Sequence, residues 1–159
     1  MKSIKVVAFF FFFLFCVMPA MADEPLNYEI ESAGSGTQGT YLVKVWVISK
    51  KNKPDLNVIQ KCAVHGVLFR GFSNKELRSA QKPLAGSALA EQSHLDFFTA
   101  FFKDNGPYRN YVTMVSPTYE IIKMAKKQYR IGATFAVQKD QLRKDLTDAG
   151  ILKGLNSGF

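Results

Sequence analysis

Alternating apolar and polar residues predict a set of β-strands. The clearest is Tyr41–Ser49, which is rich in β-branched and aromatic residues and contains one charge, Lys44. Residues 129–137 are also apolar at every second position from residue 131 onward. Weaker or shorter patterns predict strands at 26–33, 111–115 and 119–124, and the turn at 126–128 makes the last of these a hairpin with 129–137.

Spacings of three and four residues predict three helices. Asp55 or Asn57 can cap the first, whose apolar residues recur as far as position 67. Ser93, with an aspartate three positions later, forms a variant of the capping box and opens a second helix that ends near position 103. The third covers residues 140–149, and Gly150 follows it where a left-handed cap is favoured.

The order of these elements predicts a single α+β domain. We expect a mainly antiparallel sheet of about 4–6 strands with two or three helices packed on it. Residues 67–72 fit either the end of the first helix or a further short strand, because periodicity cannot decide so short a run. Residues 73–92 are polar and rich in Gly, Ser and Ala, so they are predicted to form a long surface loop.

The N-terminal segment has the pattern of a cleavable signal peptide. Lys2 and Lys5 precede a run of 13 apolar residues, 6–18, and an Ala-Met-Ala site then predicts cleavage between Ala22 and Asp23. A membrane-spanning helix needs about 20 apolar residues, so a membrane anchor is the weaker interpretation. The sequence therefore predicts a signal peptide at 1–22 and an exported domain at 23–159, periplasmic or secreted, with no transmembrane span.

Removal of this segment changes the net charge and the cysteine content of the exported domain. The full chain of 159 residues has a formal net charge of +8, and loss of the two N-terminal lysines lowers it to +6. The domain that is left is still basic. It retains one cysteine, Cys62, so an internal disulfide is excluded, and the alternatives are a buried thiol or an intermolecular bridge.

The sequence contains no catalytic or cofactor-binding motif in the structural context that such a motif needs. Gly34-x-Gly36-x-x-Gly39 matches the letters of the dinucleotide-binding fingerprint, but a predicted strand follows it. That fingerprint works by presenting a helix N-terminus to the pyrophosphate. We therefore interpret this segment as a flexible turn and predict no cofactor.

Cys62 and His65 share one helix face, which raises the question of an activated thiol. The apolar residues around Cys62 favour a packed core thiol beside a satisfied histidine. His94 has no neighbour at metal-ligand spacing, so the sequence gives no basis for a metal site.

The four phenylalanines of the second helix form a strong apolar face. They are Phe97, Phe98, Phe101 and Phe102. A helix that docks on a sheet requires such a face, so we expect it to lie in the core. The alternative is a partner-binding or membrane-surface helix with exposed rings.

Positive charge gathers in two places that can contact an anionic partner. They are Lys50, Lys51 and Lys53 after one strand, and Lys123, Lys126, Lys127 and Arg130 around the predicted hairpin turn. Most such clusters are solvated loop tips. If the two met in space, they would favour an anionic lipid, an acidic glycan or an acidic protein. Nucleic acid is a poor candidate because no nucleic-acid-binding motif is present.

Residues 63–72 (AVHGVLFRGF) and 139–146 (KDQLRKDL), with the strand Tyr41–Ser49, resemble an uncharacterised group of small secreted proteins of Bacteroidetes-type bacteria. That resemblance implies secretion and no particular activity. The order of elements is also similar to small envelope modules of flagellar-assembly and outer-membrane lipoprotein type, which implies a protein-binding role. This chain departs from them because it lacks a cysteine placed for lipid attachment.

Two functions remain open from the sequence. The first is a non-enzymatic binding or assembly module of the bacterial envelope or extracellular space. The second is a small exported hydrolase or transferase whose site assembles only in three dimensions, with His65 or His94 meeting Asp96 or Glu120.

Overall fold

The computed structural model describes residues 26–74 and 79–153. The predicted signal peptide, including Ala22 and Asp23, lies outside the described residues. Within them, the strands are β1 (Tyr28–Ser32), β2 (Tyr41–Ser49), β3 (Phe72–Asn74), β4 (Ser79–Gln81), β5 (Val112–Met114), β6 (Glu120–Ala125) and β7 (Gln128–Val137). The helices are α1 (Leu56–His65), α2 (Leu89–Ser93), α3 (Leu95–Phe101) and α4 (Lys139–Asp148), with a π-helical turn at Gly66–Arg70 and a 3-10 helix at Pro107–Tyr111.

The strands form one mixed sheet. Among the described residues its order is β4-β3-β1-β2-β7-β5, and β6 also pairs with β7. The pair of β1 and β3 is parallel, and the other pairs are antiparallel. The α+β prediction is confirmed, with seven strands in the described chain where about 4–6 were expected. The two additional strands, β3 and β4, have three residues each, which is too short for alternation to reveal them.

Alternation along β2 and β7 separates a buried inner face from an outer face. On the inner face the side chains meet α1 and the other helices, and burial of this apolar surface is the main favourable contribution to folding. The pairs on this face are Val43 with Phe135, Val45 with Ala133 and Val47 with Ile131, and all six side chains are buried.

The outer face is organised around Trp46, which is only 6% exposed although it points away from the face of β2 that packs on α1. Its indole packs against Gly132, where an added Cβ would be 2.6 Å from the ring. The Lys44 ammonium and the Arg130 guanidinium lie 4.5 and 4.3 Å from the ring centroid. Cation–π contact with these two side chains therefore helps to cover this tryptophan.

Helix α1 begins at a cap that the sequence encodes. The Asp55 carboxylate accepts hydrogen bonds from the backbone N–H groups of Asn57 and Val58, so Asp55 is the cap of the two candidates. At the other end, α1 approaches β1 closely. A Cβ on Gly66 would lie 2.6 Å from Cδ1 of Ile30, so a larger residue there would require the Ile30 side chain to move.

The chain between α1 and β3 resolves the ambiguity at residues 67–72. It continues as the π-helical turn Gly66–Arg70, and only Phe72 enters a strand. Gly71 has φ +70°, and a Cβ there would be 2.2 Å from the carbonyl oxygen of Gln81. The turn between helix and strand therefore depends on glycine.

The loop predicted at 73–92 differs from the structure. β3 continues to Asn74, Ser79–Gln81 forms β4, and α2 begins at Leu89. Between these elements, the N–H groups of residues 84 and 85 donate to the carbonyl oxygens of Val67 and Leu68 in the π-helical turn. Backbone pairing with a distant segment orders this region, and a polar composition does not report such pairing.

Helix α3 lies in the core. Phe98, Phe101 and Phe102 are buried and Phe97 is partly buried, which confirms the core interpretation and makes the surface-helix alternative wrong. The predicted cap is wrong, because α3 begins at Leu95 and the Ser93 hydroxyl donates to a carbonyl within α2. The helix ends at Phe101, close to the predicted end near position 103. Within residues 26–74 and 79–153, no helix has the length and apolar composition needed to cross a membrane.

Strands β5 and β6 lie end to end along β7. β5 pairs with residues 135–137 and β6 with residues 128–132, which confirms the predicted hairpin of β6 and β7. Lys127 adopts φ +58° in the hairpin turn. All six residues of β6 are exposed.

Helix α4 closes the described chain as predicted. Leu142 and Leu146 are buried on one of its faces. Gly150 follows with φ +72°, and its N–H donates to the carbonyl oxygen of Thr147. The left-handed C-terminal cap is therefore confirmed.

Candidate functional site

A cleft of about 1010 Å³ opens between the end of β2, α1 and the α2–α3 segment. Its walls are mainly apolar, and the side chains that line them include Val47, Val58, Leu95, Phe98, Phe102 and Ile131. Its polar groups come from α1 and from the elements on either side of it. A mainly apolar cavity with a few convergent polar groups is the usual form of a small-molecule site.

His65 lines this cleft and contacts two polar side chains, of which Glu91 also lines it and Tyr28 does not. The Tyr28 hydroxyl lies 2.6 Å from Nδ1, and a carboxylate oxygen of Glu91 lies 3.1 Å from Nε2. Burial, helped by the positive charges of Arg70 and Lys61, lowers the pKa of His65 although Glu91 opposes the shift. The neutral ring therefore donates from Nε2–H to Glu91 and accepts from the Tyr28 O–H at Nδ1, so both ring nitrogens are occupied.

The groups near His65 are held in their protonated forms. Burial raises the pKa of the Tyr28 hydroxyl above its ordinary value, against the lowering effect of Arg70. Burial likewise raises the pKa of the Cys62 thiol to about 12, and Cys62 is only 1% exposed. Neither group is a nucleophile at neutral pH, because the nucleophilic species is the anion. The low exposure also makes the intermolecular disulfide wrong for the folded protein.

Arg70 fixes the edge of the cleft. Its guanidinium donates to the carbonyl oxygens of Leu26 and Tyr28 and lies 4.1 Å from the centroid of the Tyr28 ring. The arginine thus joins the end of the π-helical turn to the start of β1. It acts here as a structural clamp on the backbone.

The structure gives His65 a partner that the sequence did not identify. The candidates were Asp96 and Glu120, but Glu120 pairs with Lys44 on the outer face of the sheet, and the carboxylate at His65 is Glu91. His94 stands at the start of α3 without a capping hydrogen bond. No signal at short sequence range points to Tyr28, Glu91 or Arg70, because each belongs to a different element, and Tyr28 contacts His65 without lining the cleft.

In the described part of the chain, no three His, Cys, Asp or Glu side chains come together as metal ligands would. The glycine segment is a turn, as predicted. Gly34 and Gly39 have φ of +116° and +80°, and β2 follows directly, where the fingerprint requires a helix. The first turn of α4 contacts this segment, but there the Asp140 N–H donates to the carbonyl oxygen of Gly39.

The two lysine clusters meet at one end of the sheet. β2 and β7 are antiparallel, and Ser49, the last residue of β2, pairs with Tyr129. The lysines that follow β2 and those around the β6–β7 turn therefore project from the same end. We call this surface the lysine-rich end, and it consists of Lys50, Lys51, Lys53, Lys123, Lys126 and Lys127, all exposed.

Arg130 belongs to a different surface. It pairs with the Glu29 carboxylate and covers Trp46 on the outer face of the sheet. By contrast, none of the six lysines of the lysine-rich end forms an ion pair with another described residue. Of the seven basic residues predicted to contact an anionic partner, six lie at one end of the sheet. Arg130 instead packs on Trp46.

Comparisons with protein-family models, with curated proteins and with solved structures found no match for this chain. The resemblance to small secreted bacterial proteins stays a prediction.

Proposed function

We propose that this protein is a non-enzymatic binding module, exported to the bacterial envelope or the extracellular space, that holds an anionic partner at its lysine-rich end. The observation that carries the proposal is the register of β2 and β7. It brings together two groups of lysines that lie about half the chain apart in sequence. The N-terminal pattern of Lys2, Lys5 and the apolar run supports the assignment of export.

The local electrostatics support anion binding. Two carboxylates of neighbouring elements have other partners, since Glu29 pairs with Arg130 and Asp55 caps α1. Six exposed ammonium groups that pair with no described carboxylate produce a positive potential that attracts anions and accelerates their encounter. Salt screens such attraction, so binding weakens as ionic strength rises.

A salt titration tests this function. The probe is immobilised polyglutamate or heparin, and the variant carries Lys51→Gln and Lys127→Gln, one substitution from each cluster. We expect the protein to bind at low salt and release as salt is added, and the variant to bind about tenfold more weakly, because each exposed charge contributes roughly 1 kcal/mol or less.

A matched control removes the same charge elsewhere. Lys82 and Lys153 are exposed and lie outside the lysine-rich end, so the variant Lys82→Gln with Lys153→Gln should bind as the parent protein does. If the two variants lost binding equally, only net charge would matter and the proposed site would be wrong. Absence of binding to either polyanion at low salt would reject the function itself.

A small exported hydrolase or transferase is the second candidate function, and one observation favours it. His65 contacts a carboxylate and a hydroxyl at the edge of a large cleft, which is the arrangement that acid–base catalysis uses. Two findings favour the binding module instead. Both ring nitrogens of His65 are occupied, and the pKa values of the Tyr28 hydroxyl and the Cys62 thiol are raised.

Activity assays decide between these functions. We expect no turnover of nitrophenyl esters or nitrophenyl phosphates above that of a boiled sample. Turnover that disappeared in His65→Gln and persisted in His94→Gln would establish the enzymatic function at this cleft.

A further inference from the structure

Strand β6 forms an open edge of the sheet. Among the described residues it pairs only with β7, and its other side faces no strand. An edge strand presents a row of N–H and C=O groups that lack partners in the sheet, and this row can accept a further strand. All six residues of β6 are exposed, so no helix or loop of the described chain covers this edge.

Aliphatic side chains are exposed on both faces of this strand. Ile121 and Ile122 are 46% and 47% exposed, and successive residues of a strand point to opposite faces. Met124 near the hairpin turn and Val115 before the strand add exposed apolar surface at 56% and 54%. A strand added beside β6 would cover side chains on both faces, which contact with a flat surface would not do.

The charge at this edge indicates the chemistry of the added strand. Lys123 lies within β6, and Lys126 and Lys127 follow at the hairpin turn. The one carboxylate of the strand, Glu120, is paired with Lys44. The edge is therefore basic and aliphatic, and its complement is an extended segment that alternates acidic and aliphatic residues. A second copy of this basic chain, with a net charge of +8 in full length or +6 after loss of the N-terminal segment, is a poorer complement.

The edge is only lightly protected against such pairing. Natural sheets guard their edges with lysines, prolines and bulges. β6 has one lysine, and its bulge falls between Lys123 and Ala125 near the turn, which leaves residues 120–123 in regular register with β7.

We infer that the free edge of β6 binds an extended acidic and aliphatic polypeptide segment as an additional β-strand. Main-chain hydrogen bonds give such a complex its affinity, and the alternate side chains give it specificity. The inference rests on the proposed function, because it names the anionic partner of the lysine-rich end as a polypeptide.

The test compares three synthetic probes against the protein. The first is a short peptide of alternating valine and glutamate, the second is the same peptide N-methylated at alternate residues, and the third is polyglutamate of equal charge. N-methylation removes strand hydrogen bonds and leaves the charge. We expect the first peptide to bind at least tenfold more tightly than the other two and to slow hydrogen exchange at alternate amides of β6, because hydrogen-bonded amides exchange slowly.

Each other result overturns a defined part of the inference. Equal binding of all three probes without protection in β6 would reject strand addition and leave the proposed function intact. Binding of no probe would reject both. A concentration-dependent dimer that protects β6, or binding to vesicles of anionic phospholipid in preference to the peptide, would replace the polypeptide partner by a second copy or by lipid.

One pair of variants locates the contact. Lys123→Glu should weaken binding of the first peptide about fivefold to tenfold, since an attraction becomes a repulsion of similar size. The control Lys82→Glu makes the same change outside this edge and should leave binding within about twofold. If Lys82→Glu weakened binding as much as Lys123→Glu, the peptide would not lie on β6.

Discussion

Strands β5 and β6 pair with the same strand, β7, yet they lie in opposite environments. In β5, Val112 is buried under α1 and the 3-10 helix at Pro107–Tyr111. In β6, every residue is exposed. Backbone pairing alone therefore does not bury a strand in this fold. The difference comes from the helical layer, which covers the inner face of β7 from Ile131 to Val137 and does not extend over β6.

The largest effect should come from the covered inner face of β7. Phe135 is fully buried and pairs with Met114 of β5, so Phe135→Ala should lower the free energy of unfolding by about 3–5 kcal/mol. Ile121→Ala in β6 should cost less than about 1 kcal/mol, because that side chain is already half exposed. Urea denaturation followed by circular dichroism measures both values. Similar losses would mean that β6 is covered in solution.

Substitution of Gly132 tests the packing on the outer face of β7, in the part of the strand that pairs with β6. A Cβ there would meet the indole of Trp46, so Gly132→Ala should displace the ring and cost about 1–3 kcal/mol. Trp46 is the single tryptophan of the chain, so its fluorescence maximum should shift to longer wavelength. Thr134→Ala, two positions along the same face, is the control and should leave the spectrum unchanged. An unshifted spectrum in Gly132→Ala would contradict the described packing.

Acidification should weaken the helical layer at His65. The pKa of this residue is lowered in the folded protein, so the unfolded chain binds its proton first as the pH falls. The stabilisation is complete above about pH 6.5, the ordinary pKa of histidine, and is lost as the pH falls through the lower folded value. Urea denaturation at neutral and acidic pH should show this loss, and it should be smaller in His65→Gln. A gain of stability on acidification would instead indicate a protonated His65 paired with Glu91.

The smallest effect on stability should come from the hairpin turn. Lys126→Gln combined with Lys127→Gln removes two exposed charges that pair with no other described residue. The free energy of unfolding should change by no more than about 0.5 kcal/mol, while polyanion binding falls. A large loss of stability would show that these lysines stabilise the fold. The weaker polyanion binding could then result from unfolding and would not locate the binding site.

The sequence predicted the elements whose signals are local. β2 and β7 are long enough for alternation to define them, and Asp55 caps α1 because a carboxylate two or three residues before free N–H groups satisfies them. Ser93 carried a similar signal and was wrong. Its hydroxyl finds an acceptor in α2, and a one-residue difference in where a helix begins is below the resolution of such patterns.

The candidate sites were predictable only in part, because the contacts that build them join residues far apart in sequence. The lysines were visible as two clusters, but their meeting depends on the register of β2 with β7, which local sequence does not encode. The contacts of His65 join it to β1 and to α2, at sequence separations of 37 and 26 residues. Without an element order and a register, no spacing rule connects such residues.

The pairing of β2 with β7 also sets the order in which the protein can assemble. Tyr41 pairs with Val137 and Ser49 with Tyr129, so the two central strands lie at least half the chain apart. Contacts of such long range form slowly, because the intervening loop must close before the contacts stabilise it. The pair of β1 and β2 is local and can form early, but β2 and β7 can pair only after the segment between residues 49 and 129 has closed. Closure of this central pair is therefore expected to limit the rate at which the whole sheet folds.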